Sequence, residues 1–133
     1  MFLTAKNKSL DITHLKSVIF DMDGTLIESE HVWAEAKKHI AQIHGQKVSD
    51  EELQKFIGRG ISDFIDEVFG PTTVFKKEMI KQEIHVRALD NYRAKIRVIP
   101  NATKILNDFS SSEIRIAICS SGPLKAIKQS LEA

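Results

Sequence analysis

Asp21-Met22-Asp23-Gly24 sets two carboxylates two residues apart, directly after the apolar run Val18-Ile19-Phe20. Side chains at i and i+2 of an extended segment point to one side, so both acids can face a single crevice. Gly24 lets the backbone approach a ligand closely. Paired acids of this kind suit phosphoryl transfer. One carboxylate attacks phosphorus and forms an aspartyl-phosphate, and the other carries the proton for the leaving oxygen. Nucleophile and phosphate are both anions, so Mg2+ would be needed to shield one from the other. A calcium-binding loop also begins with spaced aspartates. It requires a Glu at position 12 counted from Asp21, and Val32 stands there, which excludes it.

Cys119-Ser120-Ser121-Gly122-Pro123 is the second group, and it too follows an apolar run, Ile114 to Ile118. Pro123 suits the first position of a helix. A hydroxyl beside free N–H groups at a helix N-terminus makes an anion site. If the two apolar runs are neighbouring strands, both loops lie at their carboxyl ends, where open α/β sheets bind ligands. One loop would then bear the nucleophile and the other would grip phosphate oxygens. His14, His31, His39, His44 and His85 show no metal-ligand spacing, and Cys119 reads as small buried packing.

The elements that must position these groups follow from periodicity. Residues 16–20 and 114–119 read as two buried strands. Between them the pattern is helical. Val32, Ala36, Ile40 and Ile43 make an apolar stripe ended by Gly45. Ser49 to Glu52 is a capping box ahead of Leu53, Phe56 and Ile57. A short helix is expected over 62–69, and the longest over 74–96, where Ile80, Ile84, Ala88, Tyr92 and Ile96 step by four. Pro100-Asn101 caps the next helix. Trp33, Phe64, Phe69 and Phe75 read as helical core and Lys76-Lys77-Glu78 as a solvated face. The expected class is α/β: the N-terminal part of a doubly wound parallel sheet with an all-helical insertion.

Composition sets the bounds. The chain has 133 residues, enough for one core without disulfides or structural metals. Lys+Arg is 19 and Asp+Glu is 18, for a net charge of +1, which gives no electrostatic case for nucleic acid or an anionic membrane. The single cysteine excludes an internal disulfide and points to a cytoplasmic setting. No apolar run approaches a membrane span, and the start of the chain lacks the apolar stretch of a signal peptide.

Val18-Ile19-Phe20-Asp21-Met22-Asp23-Gly24-Thr25-Leu26-Ile27-Glu28-Ser29-Glu30 resembles the first motif of the haloacid dehalogenase superfamily of phosphohydrolases almost residue for residue. Ile116-Ala117-Ile118-Cys119-Ser120-Ser121 resembles its second. The resemblance implies a Rossmann-like core from residues 16–27 and 96–133, a helical cap from 28–95 and a leader over 1–15. It implies that Asp21 is the nucleophile and Asp23 the general acid and base. Both would hold Mg2+, Asp23 through its backbone carbonyl. Ser120 would bind the phosphoryl group, helped by N–H groups near Met22, Asp23 and Ser121. Arg59, in Gly58-Arg59-Gly60, would face substrate from the cap. Asp23 favours phosphate chemistry over dehalogenation. The expected substrate is a small phosphorylated metabolite, a sugar or polyol phosphate. Trp33 stands near where β-phosphoglucomutases tend to carry a cap histidine, which favours a phosphatase over a phosphomutase.

Two further motifs of that family, a Lys or Arg clamp and an acidic metal pair, would follow the second strand at a distance, and ten residues follow Pro123. The chain is therefore expected to be the N-terminal portion of a phosphatase, with activity several orders of magnitude below that of a complete site. A third expectation is a non-catalytic assembly module that self-associates through an incomplete sheet edge.

Overall fold

A computed structural model describes residues 2–5 and 8–132. Met1, Lys6 and Asn7 of the leader and the terminal Ala133 lie outside the described residues. The leader contributes an antiparallel pair, β1 (Phe2–Ala5) and β2 (Lys8–Asp11). The aspartate strand is β3 (Ser17–Asp21), followed by β4 (Ile27–Glu28). Five helices come next: α1 (Glu30–Ile43), α2 (Asp50–Gln54), α3 (Ile61–Phe69), α4 (Val74–Leu89) and α5 (Tyr92–Lys95). The chain returns through β5 (Arg97–Val98), α6 (Ala102–Ser110), β6 (Arg115–Cys119) and α7 (Leu124–Leu131).

Two strand pairings organise this order. β3 and β6 are parallel neighbours in register from Ser17 opposite Arg115 to Asp21 opposite Cys119, so their carboxyl ends stand side by side. β4 and β5 pair antiparallel, Ile27 opposite Val98. The helical insertion thus leaves the core and re-enters it at one point. The class is α/β, with a parallel sheet and an all-helical insertion, as the sequence pattern predicts.

Most of the core lies within the insertion. Val32, Ala36 and Ile40 of α1, Phe64 and Ile65 of α3, and Ile80, Ile84 and Ala88 of α4 are buried together. Phe56 and Phe64 meet edge to face with ring centres 5.2 Å apart, a geometry that adds to the burial itself. Local signals fix the helix ends. The Ser49 hydroxyl accepts from the Glu52 N–H at 3.2 Å while the Glu52 carboxylate accepts from the Ser49 N–H at 2.8 Å, which completes the capping box. The Thr73 hydroxyl accepts from the Lys76 N–H at 3.2 Å and starts α4.

The structure departs from the periodicity at several points. The helix expected over 74–96 is two helices, because Asn91 takes φ 56° and breaks the ladder; Asn tolerates that region better than most residues. The step-of-four stripe nevertheless stays buried through Tyr92 and Ile96. Ile43 and Phe75, assigned to the core, are 64% and 81% exposed, since each lies near a helix end with no element packed over it among the described residues. Asn101 precedes α6 with φ 69° and makes no side-chain capping bond. Pro123 is the N-cap of α7, one residue earlier than expected. Finally, β3 and β6 are not buried strands. Their exposure alternates: Val18, Phe20, Ile116 and Ile118 are partly covered, whereas Ile19 is 68% exposed and Cys119 also faces outward. Successive side chains of a strand take opposite faces, and only one face of this pair is packed among the described residues.

Three substitutions separate these environments. Phe64→Ala should cost about 3–5 kcal/mol in urea unfolding, and Ile19→Ala less than about 1 kcal/mol. The Tyr92 hydroxyl is buried near Ser29 and Ser130 without a well-aligned hydrogen bond. Tyr92→Phe should therefore change stability by less than about 1 kcal/mol, and a loss above about 2 kcal/mol would mean that the hydroxyl is bonded.

Candidate active site

The loop between β3 and β4 is wound tightly around one carbonyl. The Met22 oxygen accepts from the N–H groups of Leu26 at 2.9 Å and Ile27 at 3.1 Å, and the Gly24 N–H donates to the Ile27 carbonyl at 2.8 Å. The turn needs φ +76° at position 24, where glycine avoids strain. The Met22 side chain is buried and roots the loop in the core. Asp21 and Asp23 are thereby displayed on either side of a fixed residue.

The two acids have opposite surroundings. Asp21, at the end of β3, is exposed, and its carboxylate makes no hydrogen bond or ion pair among the described residues. The Asp23 carboxylate is taken from two sides. One oxygen accepts a short hydrogen bond from the Ser29 hydroxyl, and the other accepts from the Ser120 hydroxyl at 3.1 Å. Ser29 occupies the N-cap position of α1 and is fully buried, yet its hydroxyl goes to Asp23 and caps nothing. Sequence reasoning gave Ser29 no role. Its signal was an N-cap serine with no acid or amide at N3 to complete a capping box.

The second loop closes on the first. The Gly122 N–H donates to the Ser120 hydroxyl at 3.0 Å. A Cβ at Gly122 would stand 3.2 Å from that hydroxyl and 3.7 Å from the Asp23 carboxylate, so only glycine fits without displacement. Ser121 is exposed, and the chain passes through Pro123 into α7.

A cleft of ≈ 570 Å³ lies between these loops and the insertion, within the range of small-molecule sites. Asp21, Asp23, Ser121 and Gly122 form one wall. Trp33, Lys37, Arg59, Lys81 and His85 form the other. Trp33 packs edge to face on His85, with ring centres 5.9 Å apart, so it belongs to both core and cleft. Arg59 lines the cleft, but its guanidinium pairs with Glu67 at 3.2 Å and Asp63 at 3.7 Å and lies 5.1 Å from the Phe56 ring centre. Lys37 is one polar residue among many on α1. Its spacing from Trp33 (i+4) and Ala41 (i−4) puts it on the inner face.

Donors for a divalent cation are few. Among the described residues no group of three or more His, Cys, Asp and Glu side chains converges. The free oxygens of Asp21 fit a hard ion such as Mg2+, which takes one or two carboxylates and completes its shell with water and phosphate. Among the described residues no helix is long and apolar enough to cross a membrane.

Known proteins share this architecture. A solved family IA haloacid dehalogenase hydrolase from Entamoeba histolytica superposes with TM-score 0.76 at 18% identity, over 89% of this chain and 54% of that one. The structure of CbbY from Rhodobacter sphaeroides in complex with phosphate gives 0.73 at 20% identity, over 90% and 56%. By sequence, a phosphoglycolate phosphatase from Cereibacter sphaeroides is 29% identical, with 88% of this chain matched to 56% of that protein. The validoxylamine A 7'-phosphate phosphatase of Streptomyces hygroscopicus subsp. limoneus is also 29% identical, over 81% and 51%. The chain spans about half the length of the curated relatives it matches. The family model of the haloacid dehalogenase-like hydrolases matches residues 18–133, and the chain belongs to that family.

Proposed function

We propose that this chain carries the nucleophile and the acid–base group of a Mg2+-dependent phosphomonoesterase acting through an aspartyl-phosphate on small phosphorylated metabolites. The observation that carries the reading is the contrast between the acids: Asp21 is exposed and unpaired at the cleft, while Asp23 beside it is held by two hydroxyls. A nucleophile needs free lone pairs, and an acid–base group needs a fixed position.

In this reading an Asp21 oxygen attacks phosphorus as the bond to the ester oxygen breaks. Asp23 gives its proton to that leaving oxygen. Asp23 then takes a proton from water, whose oxygen attacks the same phosphorus and releases inorganic phosphate and a free Asp21. Ser120 and the N–H groups near Met22, Asp23 and Ser121 would hold the phosphoryl oxygens. Mg2+, held by the Asp21 carboxylate and the Asp23 backbone carbonyl, would neutralise charge between the two anions. The insertion would act as a cap that covers the cleft and selects substrates, with Arg59 on its inner wall. The chain's similarity to a phosphoglycolate phosphatase and to a phosphorylated carbohydrates phosphatase supports a small phosphorylated substrate.

Incubating the chain with an aryl phosphate and Mg2+, quenching in acid and mapping peptides by mass spectrometry tests this. A phosphoryl adduct should sit on the Asp21 peptide and disappear in Asp21→Asn, with phosphate release falling by more than about 100-fold. An adduct that persists in Asp21→Asn, or one that forms on a residue other than Asp21, would overturn the proposal.

The cleft also has a defined pH response. Burial, and then the neighbouring Lys81 charge, hold the His85 imidazole below its ordinary value of 6.5, with Glu78 opposing. The unfolded chain therefore takes up this proton first as pH falls. The contribution of His85 to stability is complete above about 6.5 and is lost on acidification through the folded-state value. Side-chain NMR should find the His85 midpoint below 6.5, and His85→Gln should reduce the acid sensitivity of unfolding. A midpoint above that value would contradict the assignment.

A further inference from the structure

Lys37 is a buried charge that the chemistry above leaves unused. It is 4% exposed, on the face of α1 that also buries Val32, Ala36, Ile40 and Ala41. A leucine or methionine would fill that position at lower cost, because burial penalises the ammonium form. The penalty is visible: burial lowers the lysine's pKa, and Glu30, two turns back on α1, only opposes it. The compensation is slight. The ammonium donates one long hydrogen bond, 3.4 Å to the Phe56 carbonyl, and lies 5.9 Å from the centre of the Phe64 ring. A lysine has three donors, and among the described residues no carboxylate lies within ion-pair distance of this one.

The other cationic groups on the same wall are already committed. Arg59 is paired with Asp63 and Glu67, Lys81 with Glu78 at 3.7 Å, and His85 is held toward its neutral form. Lys37 is thus the buried cation of the cleft with donors to spare among the described residues. Its placement relative to the acids follows from the helix. Ser29, which holds Asp23, lies eight residues before Lys37, about 12 Å along the axis at 1.5 Å per residue, and helix side chains lean toward the N-terminus. A ligand touching both the Ser120 loop and Lys37 is therefore short, in keeping with the volume of the cleft.

We propose that Lys37 is a specificity-determining residue whose ammonium receives a second anionic group, carboxylate or phosphoryl, at the end of the substrate remote from the transferred phosphate. This rests on the phosphatase reading, since it takes the Ser120 loop as the phosphate end. A purely structural lysine, satisfied by the Phe56 carbonyl, would not distinguish between ligands that differ only at the far end.

The test uses non-hydrolysable phosphonates with Mg2+ and the intact chain. Propylphosphonate carries one anionic end; phosphonopropionate adds a carboxylate, and propylene bisphosphonate a second phosphoryl group. Calorimetry gives affinities, and NMR follows the amides of Ser120 to Gly122 and the Lys37 side chain. All three should move the amides. The two doubly anionic ligands should bind about tenfold more tightly and also move the Lys37 signal, the stronger of them identifying the second group. Lys37→Met should remove that advantage and leave propylphosphonate affinity unchanged. The wild-type comparison needs no variant, so a destabilised Lys37→Met does not spoil it. Equal affinities with a silent Lys37, alongside moving amides, would overturn the Lys37 assignment alone. Amides unmoved by every ligand would overturn the phosphatase reading and this proposal with it.

Discussion

Two hydroxyl groups on one carboxylate join the parts of this molecule. Asp23 sits in the loop that leaves β3, Ser29 opens α1 of the helical insertion, and Ser120 begins the loop that leaves β6. Their hydrogen bonds bring the acid loop, the insertion and the second loop to one place. A buried hydrogen bond is worth about 1 kcal/mol, and breaking one leaves an unsatisfied group that costs more, so this joint helps to orient the cleft. Asp21 takes no part in it, and its carboxylate makes no hydrogen bond or ion pair among the described residues.

Dense packing and the display of the two acids come from different parts of the chain. The insertion holds the densest packing, with Phe56, Phe64, Ile80, Ile84 and Tyr92 closed off from water. The β3–β6 pair contributes few buried side chains and one open face. Its work is positional: parallel register sets Asp21 beside Cys119 and so brings the Ser120 loop within reach of Asp23. The antiparallel pair β4–β5 brings the two ends of the insertion together.

Local geometry is legible in the sequence. The acid pair, its glycine, the capping box at Ser49 and the serine loop before α7 each depend on residues within a few positions, and the pattern records such dependence faithfully. Longer-range relations were not. Nothing near Ile19, Ile43 or Phe75 tells how much of a strand or helix face is covered, so all three were assigned more burial than they have. The break at Asn91 was hidden because a step-of-four stripe survives a short turn between two helices. Ser29 and Lys37 were passed over for a related reason. Their partners, Asp23 and the Phe56 carbonyl, are supplied by other elements, and a lysine in a helix looks alike from either face.

The central claim is that one carboxylate couples the insertion to the sheet through two hydroxyls at once. A double-mutant cycle in urea unfolding, with Ser29→Ala, Ser120→Ala and the pair, tests it most directly. Residues that share one acceptor should couple, with an interaction energy of about 0.5–3 kcal/mol between the two substitutions. Costs that simply add, within about 0.3 kcal/mol, would mean that the two serines do not meet at Asp23 and would contradict the account.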